Sequence, residues 1–514
     1  MNSISWYSIF LASIVVLMFG IYWYFMEKQK YWSKRRVPSI KSNVPFIGNM
    51  WSVITMRTSI SELYDVFYKS TPKNSMVGLY SFGEPELLVK DPELVKTVLQ
   101  TNFSSFQRNG MQINPEADPL LSHNPFFTEG ERWKKERSVL TNNMTSGKLK
   151  NMTLAVHDVC LEFINYLNSQ LKLNSGKHVE VDAQLLFARF TSGVVAKAGF
   201  GVNGNCFSDE PGNFLEMAKM MFEPSGFSSL KSMLAMFFPM LNSIIKTSFV
   251  PPKVDRYFRN IVKEVLEVRK NGARGNDFIQ HLSDTYKLNE EEADGNLDKN
   301  DINLSIAAHA ASFLVDGYLT SSVTLMFIAY EIARHPEVQD KLRKEVKQVL
   351  AKHSNQITYD AIQDMKYMDL VIKESMRTVP VVPILQKICT EKSKLVGFDG
   401  TECQVEPGTK ITIPVQSLLG DTKYWENPDK FDPERFNDEN KSQQHKFVYL
   451  PFGGGPRICV GQRMALLQIK GALAVLLDNF QLKLSPKTKQ PLAWAPAVAI
   501  NVPEGGIWII IAPL

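Results

Sequence analysis

A cysteine becomes a metal ligand only where its surroundings favour the thiolate, and the segment PFGGGPRICVGQRMALLQIKGALAVLL offers such surroundings at Cys459. A glycine-rich, proline-containing loop leads directly into a run of apolar residues at helical spacing that begins near Cys459. The positive end of that helix, and Arg457 two residues earlier, both favour negative charge on the sulfur. Gly453, Gly454, Gly455 and Gly461 let the backbone come close to a flat bound group. The pattern F-x-x-G-x-R-x-C-x-G is met by Phe452, Gly455, Arg457, Cys459 and Gly461; from average residue usage it arises by chance in about one chain of this length in ten thousand. The other cysteines, Cys160, Cys206, Cys389 and Cys403, are widely spread and form no C-x-x-C pair. An odd, scattered set argues against a disulfide framework or a zinc site and for a reducing compartment. Cys160 and Cys206 read as buried, inert thiols. No G-x-G-x-x-G is completed and no Walker lysine follows a suitable loop, so nucleotide-binding folds are not indicated.

The cysteine loop resembles the haem-binding signature of the cytochrome P-450 superfamily, and other matches extend the resemblance over nearly the whole chain. It implies haem b with Cys459 as the axial ligand to iron and Phe452 and Arg457 beside the cofactor. Trp133 and Arg137 in ERWKKER match the family's W-x-x-x-R, whose side chains hold a haem propionate, as Arg457 is expected to do; the four-residue spacing allows both to project from one helical face. Glu374 and Arg377 in KESMR match the E-x-x-R helix, and Arg435 in FDPERF matches the arginine that completes a buried ion network.

The segment SFLVDGYLTSSVTLMFIAYEIARHPEVQDKLRKEV resembles the long central helix in which a glycine, an acid and a threonine form a widened turn for dioxygen. Gly317 and Thr320 fit. The acid that should precede the threonine is Leu319 here, which neither relays a proton nor holds a water. Asp316, four positions before Thr320, shares its helical face and is a candidate replacement in proton delivery, with a lining acid of no catalytic role as the equal alternative.

These residues need a mainly α fold with a small β domain, the cofactor lying between the central helix and the cysteine loop. Helical spacing dominates from 130 to 350, and short β-type runs lie near 76 to 90 and from 380 to 415. Glu290 to Asp301 is polar and reads as a surface loop before a helix starting near Ile302, and NVPEGGIWIIIAPL reads as a turn at Glu504 to Gly506 flanked by strands. Hydrophobic residues at 44% and charged residues at 22% of the 514 suit a globular protein, and no linker divides the chain after its N-terminus. From Ile4 to Met26 the chain is uncharged and long enough to span a bilayer; Lys28, Lys30, Lys34, Arg35 and Arg36 follow, which places the remainder in the cytosol. We therefore divide the chain into an anchor (1–26), a basic, proline-containing hinge (27–50) and a catalytic domain (51–514).

A net charge of +5, without a dense basic stripe, gives no indication of nucleic-acid binding. Phe103 to Phe127, the Met- and Phe-rich stretch from Met217 to Phe249, and Val381 to Leu385 are, by analogy, walls above the haem and imply a lipophilic substrate. The segments MTSGKLK, DPERF and GGIWIII resemble insect microsomal members linked to detoxification or hormone metabolism, at the endoplasmic reticulum membrane. The resemblance implies O2-dependent monooxygenation with electrons from NADPH through a flavoprotein reductase, cytochrome b5 being a second partner. Lys134, Lys135 and Arg463 are candidates for the docking face. A haem-thiolate isomerase or dehydratase needing no external electrons, and a non-catalytic haem-binding sensor, stay open at this point.

Overall fold

A computed structural model of the chain describes residues 6–42, 44, 46–209, 214–222, 248–292, 299–438, 445–496 and 500–514. Helix α1 (Trp6–Lys28) is free of charge up to Glu27, and most of its apolar span Ile9–Lys28 is not buried by the protein. At 1.5 Å per residue that span is about 30 Å long, the thickness of a bilayer core. Its C-terminal end is docked: Lys28 pairs with Glu84 at 2.7 Å, and the Phe25 ring occupies space that only a glycine at position 83 leaves free. Trp32 is fully buried and donates from Nε1 to the Leu79 carbonyl at 2.8 Å. Bridges from Ser39 to Gly78 and from Gly48 to Ser81 then carry the chain along a sheet edge. The packed body thus begins at Trp32, inside the stretch expected to act as a hinge.

That edge belongs to strand β1 (Met76–Ser81), in a five-stranded sheet with β2 (Glu84–Val89), β3 (Arg108–Asn109), β5 (Leu385–Ile388) and β8 (Lys410–Ile413). The order is β1-β2-β8-β5-β3, antiparallel except for the β2–β8 pair. Strands β6 (Ser393–Val396) and β7 (Glu402–Val405) form a hairpin, and β4 (Val179–Asp182), β10 (Trp508–Pro513) and β9 (Phe480–Leu484) form an antiparallel three-stranded sheet.

Helices make the larger part of the fold: α2 (Gly130–Asn142), α3 (Ser146–Leu173), α4 (Ala183–Val194), α5 (Pro252–Lys270), α6 (Phe278–Glu292), α7 (Lys299–Gly317), α8 (Leu319–Arg334), α9 (Lys366–Thr378) and α10 (Gln462–Asn479). In α5 a proline opens the helix, where its missing N–H costs nothing, and Val254, Phe258, Val262 and Leu266 bury one stripe. The α7–α8 run is apolar nearly all round, which suits a helix buried on every side; α8 packs on α4, α9 and α10.

Two elements differ from expectation. Residues Glu290–Glu292 and Lys299–Asp301 are helical, extending α6 and α7 into the polar segment, because Glu and Lys favour helix. Before the C-terminal turn there is a single Trp494–Pro503 bridge in place of a strand, since Pro503 has no N–H to continue a ladder. Of the Met- and Phe-rich stretch, Met220 and Met221 pack partly buried against the main core, whereas Met233, Met236, Phe237, Phe238 and Met240 lie outside the described residues.

Candidate active site

The cysteine loop is shaped by its glycines before it meets any ligand. Gly453 and Gly455 adopt φ of +74° and +67°, and a Cβ on Gly455 would lie 1.8 Å from the Leu99 carbonyl oxygen. The loop closes through the Cys459 N–H, which donates to the Phe452 carbonyl at 3.0 Å, three residues ahead of α10. Gly455→Ala combines left-handed backbone strain with that clash, so we expect a cost of about 3 kcal/mol or more, read as a fall in the thermal midpoint and in cofactor retained through purification.

Cys459 has accessible surface although protein surrounds it, so it borders an interior space; the other four cysteines are packed away. Across that space stands Asp316, equally enclosed and equally open, and close enough for its charge to act on the thiol. Burial first, and then Asp316, push the Cys459 thiol up to about 11, against hydrogen bonds from the Gly461 and Gln462 N–H groups and the charge of Arg137. The sequence suggested that Arg457 supports the thiolate. Instead Arg457 turns away, donating from Nη1 to the Pro125 carbonyl at 2.6 Å and from Nη2 to the Thr128 carbonyl at 2.7 Å.

Arg457 is drawn into a second cluster. Its guanidinium lies 4.7 Å over the Trp133 ring, while its own Nε and the Trp133 Nε1 are buried and unpartnered among the described residues. Burial and the neighbouring Arg137 bring its pKa down to about 10. Arg137 makes no side-chain hydrogen bond or ion pair among the described residues, and burial lowers its pKa as well. Lys387, which sequence reading missed, is buried on β5; burial and then Arg457 bring its pKa down to about 7, and its Nζ donates to Asn109 at 2.6 Å. Two arginines, a lysine and orphaned N–H groups gathered with only the charge of Glu129 acting on Arg457 form a site suited to carboxylates. The two propionates of a haem answer that description, and the thiol facing the enclosed space answers for its iron.

On the far wall α7 gives way to α8 at Tyr318, whose ψ is −70°. The Gly317 carbonyl accepts from Gln468 Nε2 at 3.1 Å, and the same amide donates to Ser321 Oγ at 2.7 Å. An added Cβ at Gly317 would meet only Val195, so this glycine keeps the wall low. The Thr320 hydroxyl donates to the main-chain carbonyl of Asp316, while the Asp316 carboxylate accepts from Asn124 Nδ2 at 3.2 and 3.4 Å. The two side chains share a face but do not bond to each other. Burial raises the Asp316 carboxyl to about 7, the Asn124 hydrogen bond opposing.

Behind the site, Glu374 Oε1 and Oε2 accept from Arg377 Nη2 and Nε at 2.9 and 2.8 Å, and Oε1 also accepts from Arg435 Nε at 3.2 Å and the Asp432 N–H at 2.9 Å. The three residues expected to form a network do come together, fully enclosed at Glu374 and Arg377. Of the candidate wall residues, Phe106 is buried in the sheet-side core, whereas Phe126 is exposed. Lys134 pairs with Glu131, and Arg463 donates to Ser146 Oγ and Tyr359 Oη, so that of the three candidates for the docking face Lys135 alone has no partner among the described residues.

The cytochrome P450 family model matches residues 38–508. Cytochrome P450 6j1 of Blattella germanica is 30% identical over 97% of this chain and 96% of its own length. Cytochrome P450 9e2 of the same organism is 32% identical over 98% and 97%, and cytochrome P450 6B2 of Helicoverpa armigera 31% over 99% of each. With relatives aligned end to end and a fold of helices around a small sheet, the chain belongs to the cytochrome P450 family, as a haem-thiolate monooxygenase of the insect type.

Proposed function

We propose that Cys459 is the axial thiolate, that Trp133, Arg137, Arg457 and Lys387 hold the haem propionates with Phe452 flanking the cofactor, and that Asp316, Gly317 and Thr320 form the oxygen side. One observation carries this reading: an enclosed but accessible thiol lies near enough to an acid on α7 for the acid's charge to act on it, with a buried arginine and lysine cluster nearby. Haem bound there supplies the iron at which dioxygen is reductively activated, the thiolate adding electron density.

The chain's own residues do the rest. Arg137, Arg457, Lys387 and Trp133 Nε1 fix orientation by charge and hydrogen bond. Asp316 holds a transferable proton at a carboxyl poised near neutrality, the condition for efficient general acid work. Asn124 keeps that carboxyl facing the enclosed space, and Thr320 is held at the same turn through the Asp316 carbonyl.

Proton delivery from Asp316 requires its protonated form, which is abundant below about 7 and lost above it. Product formed per NADPH should therefore fall, and peroxide rise, as pH increases through neutrality. Asp316→Asn should flatten that profile and cut coupled turnover by roughly 100-fold. Introducing Leu319→Glu into that variant should restore coupling. A profile unchanged in Asp316→Asn would remove Asp316 from proton delivery.

The redox partner in this reading is an NADPH-dependent flavoprotein reductase, with cytochrome b5 as a second donor, approaching the face that carries Lys135. Helix α1 is a single-pass anchor in the endoplasmic reticulum membrane with the following body in the cytosol, supported by the basic residues just after it. The substrates are lipophilic small molecules, xenobiotic, lipid or hormone-like. Purified protein with reductase, NADPH and a panel of such compounds, followed for oxygen-dependent product, tests the whole. Turnover without NADPH would instead identify an isomerase, and a normal reduced-CO spectrum without any turnover a sensor.

A further inference from the structure

One cluster of ligating side chains stands outside the machinery described above. His123, in the loop before α2, Glu136 on α2 and His309 on α7 each offer a ligand atom, and these atoms lie within 4.8 Å of one another. Glu136 Oε1 is 3.0 Å from His123 Nδ1, and Oε2 is 3.1 Å from His309 Nε2. His309 is fully buried, and among the described residues neither of its ring nitrogens has a well-formed hydrogen bond, although Nε2 approaches Glu136 Oε2. A buried imidazole with no hydrogen-bond partner is costly, and few arrangements tolerate it. Coordination of a cation is one, since a nitrogen lone pair aimed at a shared ion need not point along the line to a carboxylate oxygen.

We infer that His123, Glu136 and His309 form a divalent-cation site, occupied by zinc. Two imidazoles and one carboxylate are borderline and hard donors in the combination zinc accepts, too nitrogen-rich for calcium or magnesium and lacking the thiolates that copper(I) prefers. The residues come from three separate segments, so the ion is a staple joining the loop before α2, α2 itself and α7. Its position makes that consequential. Glu136 sits between Trp133 and Arg137 on α2, and His309 lies two helical turns before Asp316 on α7. Zinc would therefore fix the spacing between the helix carrying two cationic-cluster residues and the helix forming the opposite wall.

The test uses tag-free, full-length haem-loaded protein in detergent, so that no purification tag binds metal. The protein is given one equivalent of ZnCl2, washed with a weak chelator, and analysed for zinc and iron by mass spectrometry. We expect one zinc per iron, a zinc K-edge absorption spectrum with two imidazoles in the coordination shell, and a thermal midpoint that falls when a strong chelator is added. His123→Ala and Glu136→Gln should each lower zinc affinity by about tenfold or more and abolish the chelator response. His123 is partly exposed, which makes its variant the safer one to fold. If neither variant retains haem, the wild-type stoichiometry and absorption spectrum decide alone. Zinc far below one per iron, a shell without histidine scattering, or equal retention in wild type and variants would each overturn the site and leave a hydrogen-bonded His–Glu–His cluster.

Discussion

Cys459→Ser is expected to abolish oxygen-dependent product formation, a loss of at least about 10³-fold or 4 kcal/mol in the activation barrier, while much of the haem is still retained. The two effects separate because different groups cause them. On the proposed assignment, retention would rest largely on the cluster of Arg137, Arg457 and Lys387, whose side chains the substitution leaves in place. Activity rests on a sulfur that the protein alone does not ionise: burial pushes its thiol up to about 11, and the two backbone N–H groups near it do not reverse that. Bound iron would supply the deprotonation that the fold does not, since a coordinating metal deprotonates a thiol. A serine hydroxyl begins far higher and is a harder donor, so the thiolate contribution disappears. The reduced-CO spectrum of Cys459→Ser should lose its thiolate-type band. A second measurement isolates the cause: in haem-stripped wild type, Cys459 should alkylate slowly at neutral pH and faster as pH rises towards 11. Rapid alkylation at pH 7 would mean that the fold itself supplies the thiolate.

What was legible in the sequence follows from how these parts are built. Cys459, Glu374, Arg377, Trp133 and Arg137 lie within short motifs whose spacing is set by one turn of helix or one tight loop, and such constraints appear directly in residue order. Asn124 was not legible, since its partner Asp316 is 192 positions away and an asparagine in a loop is unremarkable. Lys387 reads as the exposed member of an alternating strand, yet both faces of β5 are covered where it sits. Gln468 looks like an ordinary polar position on α10, and only the packed structure shows its amide satisfying the Gly317 carbonyl. The direction of Arg457 was misjudged for a related reason. Proximity in sequence to Cys459 suggested electrostatic help, but Arg457 closes a tight helical turn (Gly455–Arg457), and its guanidinium found carbonyls of the segment before α2. The fold class was readable because periodicity reports on burial; the partners of individual polar groups were not, because periodicity carries no information about which face meets which.

Glu374→Gln is expected to destabilise the protein by about 3–5 kcal/mol, the cost of leaving buried charge uncompensated. Glu374 is the sole carboxylate between the Arg377 and Arg435 guanidiniums in this network. An amide there keeps the shape, but it loses the charge and turns a donor towards donors. Arg377 has few alternatives, because its remaining N–H groups already serve the Leu419, Pro428 and Lys430 carbonyls. Arg435 likewise donates to the Glu426, Asn427 and Lys430 carbonyls. The network thus collects the irregular segment from Leu419 to Arg435 onto α9, and its failure frees many backbone groups at once. The effect should reach the cofactor. Tyr449, in the chain leading to the cysteine loop, donates to the Lys373 carbonyl beside Glu374, and its ring packs 4.9 Å from Phe436. Loosening the network therefore loosens the loop that presents Cys459, so thermal midpoint and haem retention should fall together. Conversion of both Glu374 and Arg377 to apolar residues, Glu374→Leu with Arg377→Met, should cost less than the sum of the single changes, since the second substitution removes the charge that the first left stranded. Full additivity, measured by chemical unfolding of the holoenzyme, would mean that the residues act independently and that Glu374 contributes only its hydrogen bonds to the Asp432 N–H and Arg435.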